Sequence, residues 1–242
     1  MVIPAQNPMD LRDLTDNYHG FDRHPVLGVS TPEDSDTFTL CFVETGNIPE
    51  RGIVVCDMGE PHDYRAIIPS SNPRLTFALL LHKLFPSGPP PPTLNVARSA
   101  NIAREAVLGA TGLSYAQDGP EYVEVYHLGG VVIGEDVDLG PYTVVMRGNL
   151  MDTRIGDGTK IGNRVTVGHN VQVGRNCFIA PGVVLCGSCV LEDNATVYAN
   201  AVVLNHVRVG ERATVGAGAV VTRDVPAGVT VVGDPAKEIG KG

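Results

Sequence analysis

The sequence predicts a mainly β chain: a parallel β-helix behind a small amino-terminal α/β domain. Three observations point to it. Aliphatic residues recur with a period of six; 28 glycines accompany only 6 Phe, 7 Tyr and no Trp; and a run of prolines at residues 89–92 divides the chain. A short internal period is the mark of a stacked architecture, and a core with few large rings suits a narrow, regular column.

In chain order, the first thirty or so residues carry no clear pattern. Apolar or alternating runs at residues 38–43, 53–56 and 66–68 then predict short strands. A helix follows: Asn72 is placed to cap it, Pro73 suits its first turn, Phe77, Leu80, Leu81 and Leu84 form an apolar stripe, and Pro86 ends it. The proline run is a stiff linker. These elements define a domain over residues 1–92, with the β-helix over 93–242.

The hexad phase begins at Val96, Ile102 and Leu108 and returns at Ile133, Leu139 and Val145. From Ile155 it is unbroken through Ile161, Val167, Val173, Ile179, Leu185, Leu191, Val197, Val203, Val209, Val215 and Val221. Four residues after each of these stands a small or β-branched residue, from Thr159 and Val165 to Ala219 and Val225. Such segments close no core alone, but stacked coils bury a continuous aliphatic column. Eighteen hexads make about six coils of three. Glycine often follows the first aliphatic, as in Ile155-Gly156 and Val167-Gly168, and is read as the corner residue. Two interruptions break the phase: residues 113–128, with three tyrosines, expected to project as a loop, and residues 149–154, which shift it by four.

Charge and composition exclude several functions. A formal net charge of -9 without a basic run repels nucleic acid. No apolar run approaches the roughly 20 residues of a membrane span, and the amino terminus lacks an export pattern, so a cytoplasmic protein without a membrane span is expected. Five cysteines, three of them inside the repeats, read as reduced thiols. Cys186-Gly187-Ser188-Cys189 spells a C-x-x-C, but Cys189 fills an inward small-residue slot.

The repeats resemble the bacterial hexapeptide acyltransferases, and that resemblance implies a left-handed helix, against the usual crossover rule. More narrowly, the run from Ile67 to Pro73 into the following helix resembles the nucleotide-binding domain of the UDP-3-O-(3-hydroxyacyl)glucosamine N-acyltransferases. Residues 109–130 resemble that family's inserted loop, Arg147-Gly148 part of its Asp-Arg-Gly motif, and Gly168-His169-Asn170-Val171 its catalytic Ala-His-Asn segment. Departures stand beside these matches: Met146 and Gly162 replace aspartates, and Ile48 replaces an aromatic opposite Phe42. The chain stops soon after Gly233-Asp234-Pro235-Ala236-Lys237, a tail similar to those of acetyl-CoA-dependent relatives rather than a carrier-protein-docking extension.

Acylation of an amine needs a base, donors for the oxyanion and a slot for the thioester. His169 is the candidate base, at an outward position of its hexad. Gly187, eighteen residues on, should stack one coil away, about 4.8 Å along the axis, and is the candidate oxyanion donor. The resemblance implies that His206 places the acyl chain or substrate phosphates and that Asn163 orients the acceptor; Asn205 shares the face of His206. It also implies nucleotide binding around Phe42 and Asn72, and a homotrimer with sites shared between chains. Arg223 and Lys237 are candidates for coenzyme A phosphates. The expected donor is acetyl-CoA or another acyl-CoA, with acyl carrier protein as alternative, and the acceptor a nucleotide-linked amino sugar. No metal is expected. A zinc enzyme of the β-helix carbonic anhydrase kind would need a third histidine at a compatible coil position, where His127 does not fall. A non-catalytic scaffold is the other rival.

Overall fold

The computed structural model describes residues 2–10, 19–20, 25–30, 39–42, 53–56, 66–235 and 237–241. It has two compact units, Met1–Pro91 with Leu113–Leu128, and Pro92–Gly112 with Gly129–Gly242.

In the first unit a six-stranded sheet runs in the order Val2–Asp10, Pro25–Ser30, Thr39–Phe42, Ile53–Cys56, Ala66–Pro69 and His19–Gly20. Its outer pairs are antiparallel and its inner pairs parallel. The strands expected near residues 38–43, 53–56 and 66–68 are present; the two amino-terminal strands and His19–Gly20 carried no clear alternation. The helix spans Pro73–Leu84, as its sequence signals predict. The Asn72 carboxamide accepts from the Leu75 N–H at 3.2 Å, and the Phe85 N–H closes the last turn on Leu81 O at 2.9 Å. Phe77, Ala78, Leu80, Leu81 and Leu84 are buried.

The tyrosine-rich interruption is a hairpin rather than an irregular loop. Tyr115–Asp118 pairs antiparallel with Glu121–Glu124 across a Gly119-Pro120 turn, with Gly119 at φ +57°. The Arg74 guanidinium donates to Tyr115 O and Ser114 Oγ, each at 3.2 Å, and His82 bonds Glu124 O at 3.0 Å. These bonds tie the hairpin to the helix within this unit.

The second unit is a parallel β-solenoid of about six turns with three faces. Face I stacks Leu94–Val96, Val131–Ile133, Thr153–Ile155, Gln172–Val173, Val190–Leu191 and Arg208–Val209. Face II begins at Asn101–Ile102 and ends with Val229–Val232, against which Lys237–Lys241 turns back antiparallel. Face III runs from Val107–Ala110 through Val144–Met146, Thr166–Val167, Val184–Leu185 and Val202–Val203 to Val220–Val221. Both hexad series point inward and are buried throughout, Ile155 to Val221 and Thr159 to Val225. Thr159 keeps its inward slot because its hydroxyl donates to Gly174 O at 2.9 Å and accepts from the Cys177 N–H at 3.1 Å.

The corner chemistry differs from the sequence reading. Left-handed φ falls not on the glycine after each aliphatic but two residues later, at every sixth residue from Gly158 through Arg164, Asn170 and Asn176 to Gly218. Asn holds four of these positions, in keeping with its tolerance of that region. The glycine one residue after the aliphatic serves coil stacking. A Cβ on Gly168 would lie 2.8 Å from Gly187 N and from Leu185 O of the next coil.

Candidate active site

Three corner columns run along the solenoid, and the one between faces III and I holds most of the candidate residues of this unit, His169, Gly187, Asn205, His206 and Arg223. It comprises residues 168–171, 186–189, 204–207 and 222–225. In chain order, residues 113–128 fall between the face III strand Val107–Ala110 and the face I strand Val131–Ile133.

His169, Gly187, Asn205 and Arg223 succeed one another at eighteen-residue steps. The Ser188 N–H donates to His169 O at 2.8 Å, and the His206 N–H to Gly187 O at 3.2 Å, locking successive corners together. The half-buried His169 imidazole lies over Gly187: a Cβ there would stand 2.5 Å from His169 Nε2 and 2.6 Å from Cε1. The ring thus fills the space that a side chain at 187 would take. The Gly187 N–H donates no hydrogen bond among the described residues, which leaves it available to an incoming acceptor oxygen. Asn205 and His206 are exposed on the same column, His206 at φ +63°. Arg223 and Lys237 line one cavity of about 540 Å³ at the end of the solenoid, together with Asp224 and Glu238.

Other predicted site residues lie elsewhere. Asn163 is on the corner between faces II and III, half-buried, its carbonyl accepting from the Gly182 N–H at 3.0 Å. Within one chain it does not share the His169 corner. Asn72 belongs to the first unit, where its side chain caps the helix and its Nδ2 donates to Gln117 O at 3.4 Å. Phe42 ends strand Thr39–Phe42, and its side chain lies outside the described residues, as does Ile48.

The coil before His169 has an enlarged corner, since ten residues separate Val145 from Ile155 where six would suffice. Arg147 is 3% exposed, and its Nε donates to Gly129 O at 2.8 Å. Burial pushes its guanidinium below the usual value, though such a group stays cationic near neutrality. Asp152, 5% exposed, accepts from the Gly130 N–H at 2.9 Å and pairs with Arg154 at 3.0 Å. Asn170 joins this corner to the His169 corner, a role that sequence reasoning missed. Its one signal was the phase shift at residues 149–154.

Burial pushes the Cys177 thiol up to about 11 and that of Cys189 up to about 12, and raises Cys186 as well. All three are free thiols, and their burial disfavours the thiolate that a nucleophile requires. Among the described residues, no three of His, Cys, Asp and Glu are grouped to hold a metal ion, and no helix is long and apolar enough to cross a membrane.

Residues 152–187 and 188–223 match the family described as bacterial transferase hexapeptide (six repeats). The chain is 41% identical over 119 residues to a UDP-3-O-acylglucosamine N-acyltransferase of Delftia acidovorans, covering 49% of this chain and 36% of that protein. It is 38% identical over 134 residues to the protein of the same name from Methylorubrum extorquens, covering 55% and 38%. The chain thus spans little more than a third of the length of these curated relatives. A crystal structure of a UDP-N-acetylglucosamine acyltransferase from Bacteroides fragilis aligns with a TM-score of 0.51 and 21% identity, covering 62% of this chain and 61% of that one, a likeness of fold.

Proposed function

On the premise that residues 152–223 carry bacterial transferase hexapeptide repeats, we propose that the chain is an N-acyltransferase moving an acyl group from a thioester to the amine of a nucleotide-linked amino sugar. The observation that carries this reading is the His169 imidazole seated on Gly187, beside a backbone N–H that makes no hydrogen bond among the described residues. The amine nitrogen attacks the thioester carbonyl carbon while His169 takes its proton. Negative charge gathers on the carbonyl oxygen, where the Gly187 N–H donates to it. Collapse of the tetrahedral intermediate breaks the carbon–sulfur bond. The departing thiolate then takes the proton back from His169, leaving amide and thiol.

A pantetheine arm laid along the corner column brings its thioester to Gly187 and its phosphates towards Arg223 and Lys237, so the donor in this reading is acetyl-CoA or another acyl-CoA. Asn205 and His206 line the path between. Asn163, on a different corner, reaches such a site only from a second chain, which favours a homotrimer with shared sites. Phe42 and Asn72 belong to the unit assigned to the nucleotide. A second reading is favoured by the names of the 41% and 38% identical relatives: the acceptor is UDP-3-O-acylglucosamine, with a longer acyl chain delivered by acyl carrier protein.

The test offers acetyl-CoA, longer acyl-CoAs and a 3-hydroxyacyl carrier protein to the protein, with UDP-, dTDP- and GDP-linked amino sugars, and reads product mass. An amide formed from acetyl-CoA is expected. Amide formed only from the carrier protein selects the second reading, and hydrolysis without amide contradicts both.

A further inference from the structure

The His169–Asn170 peptide is held from two sides. Its carbonyl accepts from the Ser188 N–H of the following coil at 2.8 Å, and its N–H donates to the hydroxyl of the fully buried Thr153, in the preceding coil, at 2.9 Å. A peptide plane bonded in both directions along the axis cannot rotate, so the direction of the His169 Cα–Cβ bond is set. The Asn170 side chain adds a third tie. Its Oδ1 accepts from the Asn149 N–H of the enlarged corner at 2.6 Å, and Gln172 Nε2 bridges Asn170 O at 3.1 Å and Asp152 O at 2.9 Å.

Asn170 sits at φ +60°, the corner position that Asn176 and Asn200 also occupy. Those two asparagines reach under Gly158 and Gly182 of the preceding coil, yet their side chains make no hydrogen bond among the described residues. The bonded side chain at Asn170 is therefore more than a means of adopting a left-handed corner.

We propose that Asn170 is a positioning residue: with Thr153 and the Asn149 N–H it holds the His169 ring in its seat on Gly187. The proposal rests on the reading of His169 as base for its kinetic consequence, but not for its structural one. Four variants separate the possibilities. Asn170→Gly keeps the left-handed backbone and removes the acceptor; Thr153→Val removes the hydroxyl at nearly constant shape. Asn170→Asp restores an acceptor for the Asn149 N–H, and Asn176→Gly is the corner control.

Two readouts are taken: the ¹H–¹⁵N signals of the His169 ring, and kcat, KM and the pH profile of amide formation. Asn170→Gly and Thr153→Val are expected to shift the ring signals and to lower kcat roughly 10- to 100-fold with KM little changed, as for a slightly misplaced catalytic group. Asn176→Gly should do neither. Asn170→Asp should recover kcat, with the acid limb of the profile moved to higher pH because a carboxylate favours the imidazolium. Unchanged ring signals in both Asn170→Gly and Thr153→Val overturn the proposal, and so does an equal effect of Asn176→Gly. Shifted ring signals with unaltered kcat uphold the positioning and count instead against His169 as the base.

Discussion

Replacing His169 with alanine is expected to lower turnover by about 10²–10⁴-fold, the range for loss of a general base, while melting is unchanged. The side chain stands outside the aliphatic column, and the backbone bond from Ser188 to His169 O does not depend on it. Folding should therefore survive, as for most substitutions away from a core. Donor binding should survive too, because Arg223 and Lys237 lie at the far end of the column. The check is steady-state amide formation beside a thermal melt of the same preparation. Near wild-type turnover would move the base elsewhere.

Gly187→Ala is expected to be almost as damaging, about 10²-fold in kcat, the scale on which misplacement of a catalytic group is felt. The new Cβ would stand 2.5 Å from His169 Nε2, so the ring must leave its seat. Gly187 is not among the positive-φ glycines, so its backbone accepts alanine without strain. The variant should fold and melt normally, and kcat should fall more than KM rises. A Gly187→Ala protein with intact turnover would mean that the seat is irrelevant to the chemistry.

Much of the second unit is legible in the sequence because an inward slot is a constraint on side-chain size. A residue pointing into a narrow column must be aliphatic or small, and this repeats every six residues from Ile155 to Val225. The adjacency of His169 and Gly187 follows from the same arithmetic, since eighteen residues make one coil. Corner roles were less transparent. Glycine at 156 or 168 reads equally well as a left-handed corner or as clearance for the next coil, and only the backbone φ and the distance to the next coil distinguish the two. The hairpin at Tyr115–Asp118 and Glu121–Glu124 was missed although Asp118-Gly119 is a turn signal, because the broken hexad phase drew the reading towards an irregular loop. The ties around Asn170 were illegible for a physical reason. They depend on how a ten-residue step between Val145 and Ile155 folds back onto the next coil, and no short-range periodicity encodes that.

If thioester meets amine on the column of His169 and Gly187, backbone amide exchange reports it at the atom concerned. With acetyl-CoA bound, the Gly187 N–H acquires an acceptor, so its exchange should slow, with protection extending to residues 204–207 and 222–225 of the same column. Protection confined to the corners between faces I and II or between faces II and III, with exchange at Gly187 unchanged, would mean that the thioester binds away from His169 and Gly187.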